Sequence, residues 1–227
     1  MRELIEGSPS FTTLTLFMEP GEEVLTEPAT MVHQSNMSLV DTKVQRNFFK
    51  VGMFGGESVF FNVWRSHGQG VLGLAGPLVG VILGFDLTAG GRFYLRHGAY
   101  MASTSNIRIT TKVQRSWGGL ASGNLVMLSL KNESSTVGRF WICCYGGVIP
   151  LACSEGRVVT VHADNLIGFD PDALAYELQV QRGFRRALFS GALLSLVFRS
   201  HPGSRGIVYV HTHSLANLAE HLMRYTR

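Results

Sequence analysis

The sequence predicts an all-β chain of three repeated β-sandwich units around a pseudo-threefold axis, with one C-terminal α-helix. The tripeptide Val-Gln-Arg occurs three times, at a regular spacing of about 68 residues. Its arginines are Arg46, Arg115 and Arg182. A glycine opens an apolar run after each copy, and these glycines recur with nearly the same spacing. They are Gly56, Gly123 and Gly191. Two independent markers with one period indicate internal repetition.

The period divides the chain into repeats at 11–79, 80–147 and 148–213, followed by the helix at 214–227. A unit of about 68 residues buries too little surface to be stable alone, so we expect one compact domain. Of the 227 residues, 45% are hydrophobic, 16% are charged and 26 are glycine. This composition, with frequent Val, Phe and Thr, favours strands and tight turns over helices.

Each unit is predicted to contain about four strands, which gives about a dozen in all. A turn that needs a glycine with positive φ comes first, at Gly21, Gly90 and Gly156. The first strands follow at 23–26, 92–95 and 158–162. The second strands alternate apolar and polar residues and end at Val-Gln-Arg, at 38–44, 107–113 and 175–180. The most apolar strands lie at 58–64, 125–130 and 193–198. The last strand of each unit begins near Gly70, Gly138 and Gly206.

The run Val71–Phe85 contains no charged residue and could be mistaken for a membrane helix. A spanning helix needs about 20 apolar residues, and this shorter run holds four glycines and Pro77, which disfavour a helix. We therefore predict two buried strands around a turn at Gly76-Pro77, and no transmembrane segment.

The C-terminal helix is predicted from Ser214, which can cap a helix, and from an apolar i, i+3, i+4, i+7 pattern. The apolar residues are Leu215, Leu218, Ala219 and Leu222. We expect this helix to cover an exposed sheet edge.

Three cysteines, Cys143, Cys144 and Cys153, make a poor disulfide framework and are interpreted as buried thiols. They fit a reducing compartment, and the first residues do not resemble a secretory signal. We expect an intracellular protein, cytoplasmic or mitochondrial and not secreted. Two glycosylation sequons, at Asn36 and Asn132, match a pattern that is common by chance.

Three stretches resemble the family called altered inheritance of mitochondria protein twenty-four. They are Gly21-Glu22 with Glu27-Pro28-Ala29, the run Gly55–Asn62, and the run Arg205–Val210. The resemblance covers about Phe11 to Leu222. It implies repeated β-sandwich units like the tryptophan RNA-binding attenuation protein, no catalysis, and a link in fungi to mitochondrial inner-membrane organisation. The chain departs from the family pattern at His211-Thr212-His213, where a Gln-Thr-Arg-like stretch is expected.

Arg46, Arg115 and Arg182 are the candidate binding residues, because a ring of three guanidinium groups could hold an anion, a phosphate backbone or an acidic partner. The alternative is structural: each arginine ends a strand and anchors the following loop. Repetition favours the structural interpretation, since a duplicated fold keeps what each copy needs.

His211 and His213 are weak metal candidates, since i and i+2 on a strand share one face. Glu220 is the available carboxylate, but it lies on the predicted helix, and a metal needs further ligands. We predict no cofactor and no metal, with two surface or edge histidines as the alternative.

The function that these observations favour is a non-enzymatic interaction or scaffold protein with protein partners. By resemblance, these partners belong to mitochondrial or membrane-associated assemblies, and peripheral membrane contact stays open. An RNA- or anion-binding module is the alternative, since the net charge of +4 permits nucleic acid without arguing for it. A metal-dependent enzyme at His211 and His213 is third.

Overall fold

The structure is a computed structural model, and it describes residues 1–44, 60–114, 125–180, 194–214, 218–219 and 221–223. These residues form seventeen strands, which confirms the predicted all-β class. The strands are β1 (Arg2–Glu6), β2 (Thr13–Met18), β3 (Glu23–Thr26), β4 (Met31–Val44), β5 (Phe60–Ala75), β6 (Gly80–Leu87), β7 (Arg92–Arg96), β8 (Tyr100–Thr104), β9 (Ile107–Gln114), β10 (Leu125–Asn132), β11 (Gly138–Tyr145), β12 (Val148–Cys153), β13 (Val159–His162), β14 (Leu166–Phe169), β15 (Leu174–Val180), β16 (Leu194–Ser200) and β17 (Gly206–His211).

The strands form three antiparallel sheets. The first has eight strands in the order β1-β2-β5-β3-β8-β11-β6, with β4 also paired to β5. The second has six, in the order β12-β17-β14-β7-β10-β9, and the third has three, in the order β13-β16-β15. One apolar cluster lies between the first and second sheets and another between the second and third, while a third lies within the first sheet.

Three long strands end where the repeated tripeptide begins or within it, as predicted. The strands β4, β9 and β15 end at or within the Val-Gln-Arg copies, and they pair with β5, β10 and β16 respectively. The predicted turns are also confirmed, because Gly21, Gly90 and Gly156 have φ values of 83°, 73° and 75°. A Cβ at any of the three would meet nothing within 4 Å, so the need for glycine there is conformational and not steric.

The uncharged run Val71–Phe85 forms the end of β5 and most of β6, with a turn between Ala75 and Gly80. Leu72, Leu74 and Ile82 on these strands are at most 3% exposed. The prediction of two strands is therefore confirmed. No helix among the described residues is long and apolar enough to cross a membrane.

The predicted strand number, about a dozen, is wrong. Short strands that the sequence did not reveal lie at β1, β8 and β14. The last two lie between the first and the second predicted strand of a unit. They have five and four residues respectively, too few for a clear alternation, and they become strands because neighbouring strands pair with them.

The C-terminal helix is present at residues 218–219 and 221–223. The Leu218 N–H donates to the Ser214 carbonyl at 3.0 Å, which places the start of the helix where the sequence predicted it. Leu222 is 55% exposed, so the prediction that the apolar face of the helix covers a sheet edge is wrong at this residue.

The turn between β10 and β11 is fixed by the side chain of Asn132, which is fully buried. Its amide nitrogen donates to the carbonyl oxygens of Leu87 and Thr136 at 2.8 and 2.7 Å. Its carbonyl oxygen accepts from the Ser134 N–H at 3.0 Å. These bonds satisfy the polar atoms of a buried amide.

Candidate protein-binding cleft

A cleft of about 460 Å³ lies where β6, the last strand of the first sheet, passes over β7 and β17 of the second sheet. Its interior is aromatic, formed by the four rings that we call the aromatic floor. The floor consists of Phe85, Phe93, Phe140 and Tyr209. The ring of Phe85 lies 5.3 Å from Phe140 and 5.1 Å from Tyr209. Phe85 and Tyr209 are only half-buried, so an apolar surface remains available in the cleft.

The apolar surface continues from the floor onto the adjacent strands β12 and β17. Directly opposed residues of an antiparallel pair project to the same face, and Pro150 opposes Tyr209 while Ala152 opposes Ile207. Pro150, Ala152 and Ile207 are all exposed, Ile207 to 40%. This part of the second sheet extends beyond the cover that β6 provides.

The strand β6 borders the cleft with an open edge. In the described part of the chain it pairs along its length only with β11, and its other edge has a single bridge, from Gly80 to Phe11. The side chains of Leu83 and Phe85 point from β6 towards the core between the sheets. Backbone groups along such an edge can pair with an added strand.

The rim of the cleft carries charges of both signs. Arg92 forms an ion pair with Asp172, whose N–H donates to the Asp170 carboxylate at 2.7 Å. Arg205 is exposed and has no carboxylate partner among the described residues. With Asp86, the rim has three carboxylates and two guanidinium groups. Burial raises the pKa of the Tyr209 phenol, so this group is neutral at pH 7.

An ion pair on the other side of β6 connects that strand to β1. Arg139 on β11 donates through Nε to Glu3 Oε2 at 2.6 Å and through Nη1 to Asp86 Oδ1 at 2.7 Å. Trp141 Nε1 also donates to Glu3 Oε2, at 2.7 Å. A Cβ on Gly84 would lie 2.7 Å from Arg139 Nη2, so glycine leaves room for the guanidinium. The hydrogen bond from Arg139 lowers the pKa of Glu3 despite its partial burial.

We expect Arg139→Gln to lower the free energy of unfolding by about 1–2 kcal/mol at pH 7, since the Arg139 and Glu3 side chains are 32% and 25% exposed and solvent screens the pair. The folded-state pKa of Glu3 is depressed, so its contribution is present above the unfolded pKa of about 4.3 and is lost as pH falls through the folded value. The difference between wild type and variant in urea unfolding should therefore shrink below about pH 4.

The control is Arg65→Gln, which removes an ion pair with Glu23 in which the Arg65 side chain is 50% exposed. We expect a change below about 0.5 kcal/mol there. Equal losses in the two variants, or a loss at Arg139 that does not depend on pH, would contradict the role given to Glu3.

The predicted arginines Arg46, Arg115 and Arg182 all lie outside the described residues. The ends of β4, β9 and β15 that precede them belong to three different sheets. The described residues therefore give no arrangement for the three guanidinium groups, and the binding role stays a prediction.

His211 and His213 do not share a strand face, because β17 ends at His211. His213 Nδ1 lies 2.8 Å from Thr212 Oγ1, and its ring lies 5.4 Å from that of Tyr145. His211 Nδ1 contacts the His213 carbonyl, and burial lowers the pKa of His211. Glu220 is outside the described residues. Within the described part, no three His, Cys, Asp or Glu side chains are grouped as metal ligands.

The three cysteines are buried and unpaired with one another, as predicted. Burial raises the pKa of Cys143 to about 12 and that of Cys144 as well. Both are therefore protonated thiols in the core at pH 7 and are poor nucleophiles.

Sequence reasoning missed the cleft residues Phe85, Ile207 and Tyr209. A signal was available in Ile207–Val210, where every residue is apolar or aromatic. A strand without polar alternation is typical of one that is covered on both faces. In the structure one face of β17 is covered and the other is partly open.

The fold and the cleft define an all-β protein with a candidate surface for binding protein. A family model described as "Mitochondrial biogenesis AIM24" matches residues 4–213. The chain belongs to this family, which confirms the resemblance found in the sequence. The family description names no substrate and no partner.

Two bacterial proteins are similar over nearly the whole chain. An uncharacterised protein of Streptococcus pyogenes serotype M6 is 23% identical over 234 residues, which cover 99% of this chain and 91% of that protein. A crystal structure of a Streptococcus pyogenes protein from a structural genomics consortium is 22% identical, with a TM-score of 0.77 and 99% of each chain covered. At this identity the second likeness shows the fold alone.

Proposed function

We propose that this protein is a non-enzymatic interaction or scaffold protein, and that its cleft binds an extended apolar segment of a protein partner. The observation that carries the proposal is the open edge of β6 beside the aromatic floor, in which Phe85 and Tyr209 are half-buried. An added strand would pair with the backbone of β6 and place alternate side chains on the floor, as in β-augmentation.

The charges at the cleft favour a protein ligand over a nucleic acid. At the rim, Asp170 and Asp172 balance Arg92 and Arg205, and Asp86 is paired with Arg139. The rim therefore has no excess of positive charge, which a phosphate backbone requires. A peptide with polar groups of both signs on its solvent side fits such a rim, and its apolar side chains fit the floor.

We also propose that the chain consists of three copies of one unit. The pairings Met31 with Leu74, Tyr100 with Ile142, and Leu166 with Val210 support this proposal, because each adjoins a bulge. The partner positions Leu74, Ile142 and Val210 are equally spaced along the chain, with a spacing close to that of the repeated tripeptide. The arrangement about a pseudo-threefold axis, and the division at residues 79, 147 and 213, stay predictions.

The family description refers to mitochondrial biogenesis. From the resemblance found in the sequence we propose that the partners belong to mitochondrial or membrane-associated assemblies, with peripheral contact between this protein and the membrane. The alternative function is an RNA- or anion-binding module that uses Arg46, Arg115 and Arg182. The scaffold function requires a protein ligand at the cleft, whereas the alternative requires RNA or an anion at the three arginines.

The proposal is tested with a blocked octapeptide of alternating valine and threonine, measured by fluorescence anisotropy. We expect this peptide to bind and Ile207→Glu to weaken the binding at least about tenfold, because the change places a carboxylate on the apolar face beside the floor. The same peptide, N-methylated at every residue, should also bind at least about tenfold more weakly, since neither of its edges can donate backbone hydrogen bonds to β6.

Leu39→Glu is the matched control, because Leu39 is 50% exposed on β4, away from the cleft. Binding should not change in this variant. A mixed-sequence single-stranded RNA is measured in parallel at low salt. If the RNA binds and the peptide does not, the alternative function replaces the one proposed.

A further inference from the structure

The first two sheets share one strand order. The hairpin β4–β5 continues through β3 to β8, β11 and β6, and the hairpin β9–β10 continues through β7 to β14, β17 and β12. The third sheet begins in the same way, with the hairpin β15–β16 and then β13, and among the described residues it ends there. The strand β3 pairs with β8, and the corresponding strand β7 pairs with β14. Among the described residues, β13 has no such partner on its second edge.

The strand segment that corresponds to β8 and β14 is the first part of β4, residues 31–35. It pairs with the end of β5 as β8 pairs with β11 and as β14 pairs with β17. In each pairing one residue is skipped by a bulge, and these residues are Val32, Met101 and Ile167.

Side-chain exposure agrees with the lack of a neighbouring strand at these two edges in the described part of the chain. Met101 and Ile167 are fully buried at the junctions of β8 with β3 and β14 with β7, whereas Val32 is 62% exposed. The edge of β13 shows the same difference in exposure from its counterparts on β3 and β7. Leu25 and Tyr94 are 5% and 8% exposed, whereas Thr160, at the corresponding position of β13, is exposed.

We propose that β13 of one copy of this chain pairs with residues 31–35 of a second copy, and that this contact builds the oligomer. The two edges match each other, because each is one half of a junction that the chain forms twice internally, at β3–β8 and β7–β14. Pairing would cover Val32 and would satisfy the open backbone groups of both strands. Two copies that exchange the contact reciprocally leave neither edge open.

The register of the contact follows from the two internal junctions. Leu25 lies opposite Ser103, and Tyr94 lies opposite Phe169. The corresponding residues are Thr160 on β13 and Gln34 on β4, which are both exposed. The proposal therefore predicts that Thr160 of one copy lies opposite Gln34 of the other.

Disulfide trapping tests this register between separate chains. A chain carrying Thr160→Cys is mixed with a longer, tagged chain carrying Gln34→Cys and is oxidised with copper phenanthroline in air. We expect a cross-linked product with the summed mass of both chains, and no such product from either chain alone. The native cysteines are buried and do not compete. Both substitutions are at exposed positions, and thermal unfolding checks that each variant folds.

The alternative is closure within one chain, as a pseudo-threefold axis would require. A chain with both cysteines would then form an intrachain disulfide at monomer mass while the mixture of single variants gave no product, and this result would overturn the proposal. Failure of both cross-links would overturn it as well.

Sedimentation gives an independent measurement of the oligomer. Val32→Lys should raise its dissociation constant at least about tenfold. Val137→Lys, at a position that is 61% exposed and lies outside the two edges, should leave the dissociation constant unchanged.

Discussion

Replacing Trp141 by alanine is expected to lower the free energy of unfolding by about 4 kcal/mol, the largest effect of any substitution considered. Trp141 is 1% exposed and belongs to the apolar cluster of the first sheet. Its removal leaves a cavity that β-strands cannot collapse around, and it also removes a hydrogen bond to Glu3. Urea denaturation followed by circular dichroism measures the change.

Two further variants separate the contributions at this position. Trp141→Phe keeps a six-membered aromatic ring but removes the indole N–H and the rest of the five-membered ring, so we expect a loss of about 1–2 kcal/mol from the hydrogen bond and a small cavity. Val137→Ala, four residues earlier and 61% exposed, should change stability by less than about 0.5 kcal/mol. A loss at Trp141→Ala no greater than that at Val137→Ala would show that the core does not depend on this ring.

Gly80→Ala is expected to have the second-largest effect, a loss of about 3 kcal/mol. A Cβ at Gly80 would lie 1.7 Å from the carbonyl oxygen of Cys144 on the paired strand β11. The obstacle is backbone within a paired ladder, so it cannot rotate away as a side chain would. Gly80 N–H also donates to the Ser10 carbonyl at 2.7 Å, and a displaced strand would weaken this bond.

The matched control is Gly98→Ala, where a Cβ would meet nothing within 4 Å and φ is not positive. Stability there should stay within about 0.5 kcal/mol of wild type. Thermal melts of the two variants make the comparison directly. If Gly80→Ala melted at the wild-type temperature, the close approach of β6 and β11 at this point would be contradicted.

The sequence predicted the parts of the fold that depend on local patterns. The three hairpins follow from alternation within single strands, and the turns at Gly21, Gly90 and Gly156 follow from one steric requirement. The division of Val71–Phe85 into two strands follows from glycine and proline. These features need no knowledge of what each strand contacts.

The cleft could not be predicted in this way, because it depends on where the first sheet ends relative to the second. Phe85 and Tyr209 are separated by more than half of the chain, and the pairing of β17 between β12 and β14 brings them together. The strands β8 and β14 were missed for a similar reason, since partners distant in sequence provide their hydrogen bonds. The strand face that His211 and His213 were expected to share is absent, because β17 ends at His211.

The buried amide of Asn132 has a consequence for modification of the chain. Its nitrogen already donates two hydrogen bonds inside the turn, and the side chain has no contact with solvent. An enzyme that attaches a sugar needs that same nitrogen free and accessible. Asn36, in the other sequon, is exposed, with φ at 54°, and its amide nitrogen donates at the surface to the Gln69 carbonyl at 3.1 Å, a bond that solvent can replace. The folded protein therefore offers an oligosaccharide one attachment point where its sequence displays two.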